Sequence, residues 1–285
     1  MAVPWQTLSP TRESGAPGTE VGALLDLAER VARSAGELLL GGAKGVRSDV
    51  STKSSGTDMV SEMDRASEAL IVEGILAARP DDSVLGEESG TRQGTSGVRW
   101  VIDPLDGTTN YLYRHPTWAV SIGVEVEGRV EAGVVAAPGL GETFTALRGR
   151  GAWLNGDPIA VSAEDDLARA LIGTGFGYAA SRRARQAAVL PHVLPVVRDI
   201  RRIGVASLDL CWVACGRLDG YFEAGGQPWD VAAGLLIATE AGAVAAGLDG
   251  GPPAHDSVVT AAPGIAGALV NLLVRHGAAV DLGDG

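Results

Sequence analysis

The sequence predicts a mixed α/β protein built in two successive parts. Helices lead into a mainly antiparallel meander, and an α/β half follows. Three observations predict it. Two segments near the start carry apolar residues at helical spacing. After Tyr111 the pattern changes to alternation, the period of a half-buried strand. From about Pro158 helix-like and strand-like stretches mix, which sets a soft boundary near residue 157.

The elements follow in order. Residues 21–40 place Leu24, Leu27, Ala28, Val31, Ala35 and Leu38 on one face, with Asp26, Glu29, Arg30 and Arg33 on the others. A polar stretch, KSSGTDMVSEMD, comes next, and residues 64–79 repeat the helical pattern and stop before Pro80. SVLGEESG reads as a short strand, Val84 and Leu85, running into a loop. WVIDPLDGTTNY reads as a buried strand ending in acids. AVSIGVEV, VEAGVVAA and ETFTAL read as strands, with turns at Glu127-Gly128 and Asn155-Gly156. In the second half ALIGTGF and LDGYFEA read as strands. SLDLCWVACG and DVAAGLLIATEAG read as helices, the latter ended by Gly242. Residues 1–18 read as a flexible arm and the final DLGDG as a loose tail.

The 285 residues are 46% hydrophobic and 20% charged, which excludes global disorder. Lys and Arg total 23 against 35 Asp and Glu, a net charge of −12. Bulk charge therefore argues against gripping nucleic acid or an anionic membrane. Cys211 and Cys215, spaced for one helix face, read as core residues rather than a disulfide or zinc site. The four histidines show no ligand spacing. No basic-then-apolar leader and no membrane-length apolar run is present, so a cytoplasmic protein is expected.

The informative acids share one kind of position. Glu87, Glu88, Asp103 and Asp106 follow strands, and Asp64 and Asp230 open helices. In α/β folds ligands gather where strand ends meet helix starts. Converging carboxylates repel one another unless a cation joins them, and an all-oxygen set suits Mg²⁺ rather than zinc. Each acid also has a plain structural reading. Ser61 and Asp64 fit a capping box, Asp230 an N-cap, and Asp103-Pro104-Leu105-Asp106 a turn. Gly107, Thr108 and Thr109 can point free N–H groups at an anion. An anion site beside a divalent-cation site is what phosphate-ester hydrolysis needs. The haloacid-dehalogenase pattern D-x-D-G-T separates its aspartates by one residue. Here two residues intervene, which argues against that chemistry.

The sequence resembles the inositol monophosphatase family of magnesium-dependent, lithium-sensitive phosphatases. The carrying pieces are KSSGTDMVSEMD, LGEES, WVIDPLDGTTNY, VSIG, RRIGVAS and YFEAGGQPWDVAAGLLIATEAG, in the family's order from the first helix onward. The resemblance implies an α/β fold, a layered αβαβα sandwich. An antiparallel sheet with two helices comes first (residues 19–157, carrying most metal ligands). A mixed sheet with flanking helices follows (158–285, completing the site).

The resemblance also implies two to three Mg²⁺ ions. Glu87, Asp103 and the Leu105 carbonyl would hold the first, Asp103, Asp106 and Asp230 the second, and Glu87 with Asp64 a third. It makes Glu87 and Thr108 the pair that orients the attacking water, with Asp64 in support. It puts the Gly107 and Thr108 amides on the phosphate, beside Leu105, Asp106 and Asp230. It puts Glu223, Gly204 and Ala206 on the substrate's hydroxyl-bearing ring. The implied reaction is hydrolysis of inositol 1-phosphate, a small phosphorylated polyol, without a covalent intermediate, in a homodimer. Relatives on the same scaffold cleave fructose 1,6-bisphosphate, histidinol phosphate or 3′-phosphoadenosine phosphate, and Asn110 favours the inositol branch. A non-catalytic interaction protein on the same scaffold is the reading from another class. Ser61, Tyr113 and Val205 depart from the family's usual Thr, His, and Thr or Ser. Lys53 matches a frequent Lys.

Overall fold

The computed structural model describes residues 19–43, 50–52 and 59–279. The N-terminal arm, Lys53 and the DLGDG tail lie outside them. The chain opens with α1 (Thr19–Gly42), whose buried stripe holds the predicted Leu24, Leu27, Ala28, Val31 and Ala35. It takes Leu39 in place of Leu38 and adds Leu25, because the stripe of a 3.6-residue helix is wide enough to admit neighbouring positions. A two-stranded ribbon, β1 (Val50–Thr52) and β2 (Met59–Ser61), leads into α2 (Glu62–Ala78). The buried face of α2 carries Asp64, Ser67, Glu68, Ile71 and Ile75, so one helix face is polar at its start and apolar at its end. Then come β3 (Ser83–Gly86), β4 (Gly90–Arg92), β5 (Val98–Asp106) and the short α3 (Thr108–Leu112).

The meander follows as β6 (Ala119–Val126), β7 (Arg129–Ala137), β8 (Glu142–Leu147), β9 (Gly151–Leu154) and β10 (Asp157–Pro158). Both predicted turns are present. Glu127 and Gly128 have φ of 50° and 78°, and Asn155 and Gly156 have 51° and 89°. Two successive positive φ values match the twist of a tight hairpin. Strands β3 to β10 form one sheet in the order β10-β9-β8-β7-β6-β5-β3-β4.

Two details differ from the sequence reading. Glu87 and Glu88 lie in the tight turn of a β3–β4 hairpin rather than in an open loop, and β3 runs parallel to β5. A four-residue strand signal does not reveal which neighbour it pairs with. Asp103 and Asp106 lie within the C-terminal end of β5 rather than following it, and the register against β6 breaks between them. That irregularity lets both aspartates serve one end of the strand.

The second half contains β11 (Leu171–Thr174), α4 (Ala180–Ala187), α5 (Leu190–Val193), β12 (Asp199–Arg201), α6 (Ala206–Ala214), β13 (Gly220–Ala224) and α7 (Pro228–Glu240). The chain then adds β14 (Val244–Ala246), β15 (Ser257–Ala261) and α8 (Pro263–Arg275), a stretch the sequence reading leaves undescribed. The second sheet has the order β12-β11-β13-β15-β14 and is mixed, with β11 parallel to β12 and β13. Cys211 is buried in α6 and Cys215 closes it, half-buried.

Packing gives five layers. Helices α1 and α2 cover one face of the large sheet through Leu25, Leu39, Ile71 and Ile75 against Trp100, Ile102 and Ile122. Helices α6 and α7 lie between the sheets. Val205, Leu208 and Ile237 meet Val135 and Phe144 on one side, and Leu210 and Val213 meet Tyr221 and Val258 on the other. Helix α8 covers the far side through Ile265, Leu269 and Leu273. Helix α7 comes close to the large sheet because Gly123 has no side chain; a Cβ there would lie 2.9 Å from Ala232 Cβ. Since α6 and α7 pack on both sheets, we propose that residues 19–157 and 158–285 are subdomains of one folding unit.

Candidate active site

The site forms where β5, the β3–β4 turn and the N-terminal turns of α6 and α7 converge. Asp103 and Asp106 are only 2% and 9% exposed. Asp103 Oδ1 accepts the Leu105 N–H at 3.0 Å, so Asp103 shapes its own turn. Asp106 Oδ2 accepts two bonds from Ser207, from the backbone N–H at 2.8 Å and the hydroxyl at 2.6 Å. Asp230 sits at the third helical position of α7, not at its N-cap. There it accepts the Gln227 N–H at 2.7 Å, one arm of a capping box whose cap is Gln227.

These acids share one electrostatic neighbourhood. Burial pushes Asp103 well above the ordinary carboxylate range, and the charges of Glu87, Asp106 and Asp230 push it further. Burial raises Asp106 to about 7, with the Ser207 bonds opposing and Glu223 and Glu87 adding to the rise. Asp230 is raised well above its ordinary value by desolvation and then by Asp106, against the Gln227 bond. The hydrogen-bond partners of Asp103, Asp106 and Asp230 among the described residues are backbone amides and one hydroxyl; none is a cation.

Buried carboxylates that raise one another's pKa in this way accept a hard cation. The donor set is all oxygen, which fits Mg²⁺. No three acidic, histidine or cysteine side chains among the described residues close into a ready-made cage.

Glu87 is held through its backbone. Its N–H continues the β3–β5 ladder to the Ile102 carbonyl at 3.2 Å. The next two amides, of Glu88 and Ser89, donate to the carboxylate of Glu68 at 2.9 and 2.6 Å. Glu68 is 2% exposed and stands one helical turn beyond Asp64. Sequence reasoning missed it, although its spacing from Asp64 on one face of α2 is a usable signal. It also missed Ser207, which lies inside RRIGVAS.

Asp64 is buried on α2 at 3% exposure. The Thr108 hydroxyl lies 3.5 Å from Asp64 Oδ1 and donates to the Leu105 carbonyl at 3.1 Å. The Leu105 carbonyl is thus engaged by the Thr108 hydroxyl. Gly107, at φ +92°, turns the chain from β5 into α3. A Cβ at Gly107 would sit 2.8 Å from Val205 Cγ2, so the turn is pressed against the residue that precedes α6. The first amides of α3 have no partner within the helix. Asn110 fixes the same junction, donating to the carbonyls of Thr117 at 2.9 Å and Ile203 at 3.0 Å.

Gly204 and Ala206 flank Val205 at the start of α6, so they face the β5–α3 turn across the Gly107–Val205 contact. Glu223, on β13, is half-buried and takes a hydrogen bond from the Tyr221 hydroxyl. Tyr113 is exposed just past α3. Ser61 ends β2. The charges of Glu87 and Glu223 both act on Asp106 and Asp230, Glu87 also acts on Asp103, and the Thr108 hydroxyl lies 3.5 Å from Asp64 beside the Leu105 carbonyl.

Comparison with known proteins places the chain as a whole. A model of the inositol monophosphatase family matches residues 21–278. The chain is 47% identical over 236 residues to inositol-1-monophosphatase SuhB of Mycobacterium tuberculosis, covering 79% of this chain and 81% of that protein. It is 42% identical over 239 residues to Nus factor SuhB of Escherichia coli K12, covering 83% and 88%. The solved structure of extragenic suppressor protein suhB from Bartonella henselae superposes with a TM-score of 0.85 at 37% identity, covering 88% of this chain and 98% of that one. No helix among the described residues is long and apolar enough to cross a membrane. With fold, motif order and sequence in agreement, the chain belongs to the inositol monophosphatase family.

Proposed function

We propose that the protein is a Mg²⁺-dependent phosphomonoesterase that hydrolyses inositol 1-phosphate. The observation that carries this is the burial of Asp103 and Asp106, whose hydrogen-bond partners among the described residues are amides and one hydroxyl, beside Glu87 and Asp230 and next to the amides of Gly107 and Thr108. Family membership supports a phosphatase acting on a small phosphorylated compound.

In this reading Glu87, Asp103 and the Leu105 carbonyl would hold one ion, and Asp103, Asp106 and Asp230 a second. Glu87 and Asp64 would hold a weaker third. Bound Mg²⁺ would neutralise charge on the phosphate oxygens and ease the ionisation of water. Glu87 and Thr108 orient the attacking water, with Asp64 steadying the Thr108 hydroxyl. The Gly107 and Thr108 amides hold phosphate oxygens, so the phosphorus faces the water. Glu223 accepts from a substrate hydroxyl, and Gly204 and Ala206 shape the wall beside it. Attack is direct, and no Ser, Cys or His nucleophile is required. We propose a homodimer as the working assembly.

The test is phosphate release from inositol 1-phosphate, fructose 1,6-bisphosphate, histidinol phosphate and 3′-phosphoadenosine phosphate, with and without Mg²⁺. Mg²⁺-dependent release that is fastest from inositol 1-phosphate supports the assignment. A faster rival replaces the substrate but keeps the chemistry. The name of the Escherichia coli relative favours a second reading, an interaction protein on this scaffold. A protein partner kept by Asp103→Asn would support that reading, whereas Mg²⁺ that raises the melting temperature while no ester is hydrolysed would mark a purely structural cation site.

A further inference from the structure

Behind Glu223 lies a buried polar line that the proposed chemistry does not use. Strand β13 alternates its side chains, so Phe222 enters the outer core while Tyr221 and Glu223 face the α6–α7 layer. Asp209, on α6, faces them. It is 1% exposed, and its Oδ1 has no hydrogen-bond partner among the described residues. A buried carboxyl oxygen left unpaired costs free energy, so its retention calls for a reason.

The neighbouring strand makes room for this line. Gly173 pairs with Tyr221 across the β11–β13 ladder. A Cβ at Gly173 would meet the Tyr221 ring at 3.1 Å and Asp209 Oδ1 at 3.3 Å. Two residues on, a Cβ at Gly175 would lie 2.1 Å from the Glu223 carboxyl carbon. The period of two thus lays a glycine floor under Asp209, Tyr221 and Glu223 together. The Tyr221 hydroxyl spends its one proton on Glu223. Its oxygen keeps lone pairs for a donor.

We propose that Asp209 is a positioning residue that acts through the Tyr221 hydroxyl, fixing Glu223 to receive a substrate hydroxyl and so helping to set which phosphate ester binds. The structure holds the bond from Tyr221 to Glu223 and leaves Asp209 Oδ1 unpaired; with a small turn of its carboxyl Asp209 would complete the line by donating to the Tyr221 oxygen. One Glu223 oxygen is then held and the other is left for substrate. Burial and the nearby negative charge of Glu223 keep Asp209 well above the usual carboxylate range, in keeping with a neutral donor. This inference rests on the reading of Glu223 given under Proposed function.

The experiment compares Tyr221→Phe, Asp209→Leu and Asp209→Asn in kinetics, melting temperature and crystal structure. Kinetics are read on inositol 1-phosphate, or on the panel ester hydrolysed best, against 4-nitrophenyl phosphate, which offers no ring hydroxyl. Tyr221→Phe and Asp209→Leu should raise KM for the polyol ester roughly tenfold, and change kcat less. The loss should be smaller for 4-nitrophenyl phosphate. Asp209→Asn keeps a donor and should stay near the parent. Asp209→Leu should melt no lower than the parent, since the desolvation of a buried acid offsets the single bond it would make to Tyr221. Crystal structures should show Glu223 displaced in Tyr221→Phe and Asp209→Leu.

An unmoved Glu223 with unchanged KM overturns the inference. So does Asp209→Asn failing as badly as Asp209→Leu with a lowered melting temperature, the mark of a packing role. A displaced Glu223 with unchanged KM instead overturns the substrate role of Glu223, and with it any effect of Asp209 on specificity.

Discussion

Ser207 places two donors, its backbone N–H at 2.8 Å and its hydroxyl at 2.6 Å, on the same oxygen of Asp106. The two residues lie 101 positions apart, on α6 and β5. The bonds hold an acid of the first sheet against the helix that faces the second, and they favour its charged form.

Removing the hydroxyl tests that coupling. Ser207→Ala should keep the backbone bond and lose the shorter one. A hydrogen bond to a charged group contributes about 1.5–3 kcal/mol, so the Mg²⁺ concentration for half-maximal activity should rise on the order of tenfold. A Mg²⁺ titration of phosphate release measures it; an unchanged midpoint would mean that Asp106 does not help to hold the ion.

Asp103→Asn should separate stability from activity. The substitution removes one negative charge from a crowded buried cluster at nearly constant shape. Without Mg²⁺ the variant should melt higher than the parent, because repulsion is relieved. With Mg²⁺ it should lose about a hundredfold or more of its turnover. Thermal melts and turnover on the same preparation give both numbers.

The pH dependence of the metal-free protein has a definite sign. The Asp106 carboxyl moves from 3.8 up to about 7 on folding, so the folded state binds the proton more tightly. That contribution is present below about pH 4 and is lost as pH rises through about 7. Asp103 and Asp230, also raised, act in the same direction. The metal-free protein should therefore lose melting temperature across this window, and Mg²⁺ should restore most at the alkaline end. Scanning calorimetry at pH 5, 6, 7 and 8, with chelator or Mg²⁺, is the check; a Mg²⁺ effect that grows toward acid pH would contradict it.

Glu68→Gln tests the support of Glu87 from behind. An amide has one acceptor oxygen where the carboxylate has two, and Glu88 and Ser89 each need one. The β3–β4 turn should loosen and kcat/KM should fall about 10- to 100-fold, in the range found for groups that orient metal ligands. The Mg²⁺ midpoint should rise in parallel. A loss of melting temperature with unchanged Mg²⁺ response would assign Glu68 to structure alone.

The amino-acid sequence by itself determined the elements that local periodicity encodes. The stripe of Leu24, Ala28, Val31 and Ala35 specified α1, and alternation with Glu127-Gly128 specified the β6–β7 hairpin. It also determined that Asp103 and Asp106 would meet a turn and a short helix, since Pro104 and Gly107 leave the backbone few alternatives. Tertiary structure alone decided what faces what. It made β3 parallel to β5, turned Glu87 into a hairpin, and ran α6 and α7 between two sheets. It brought Ser207 to Asp106, Glu68 to the amides behind Glu87, and Asp209 beside Tyr221. The physical reason is range. Periodicity and turn chemistry act over a few residues, whereas strand partners and buried polar contacts are chosen by which surfaces pack together once the helices have covered the sheets.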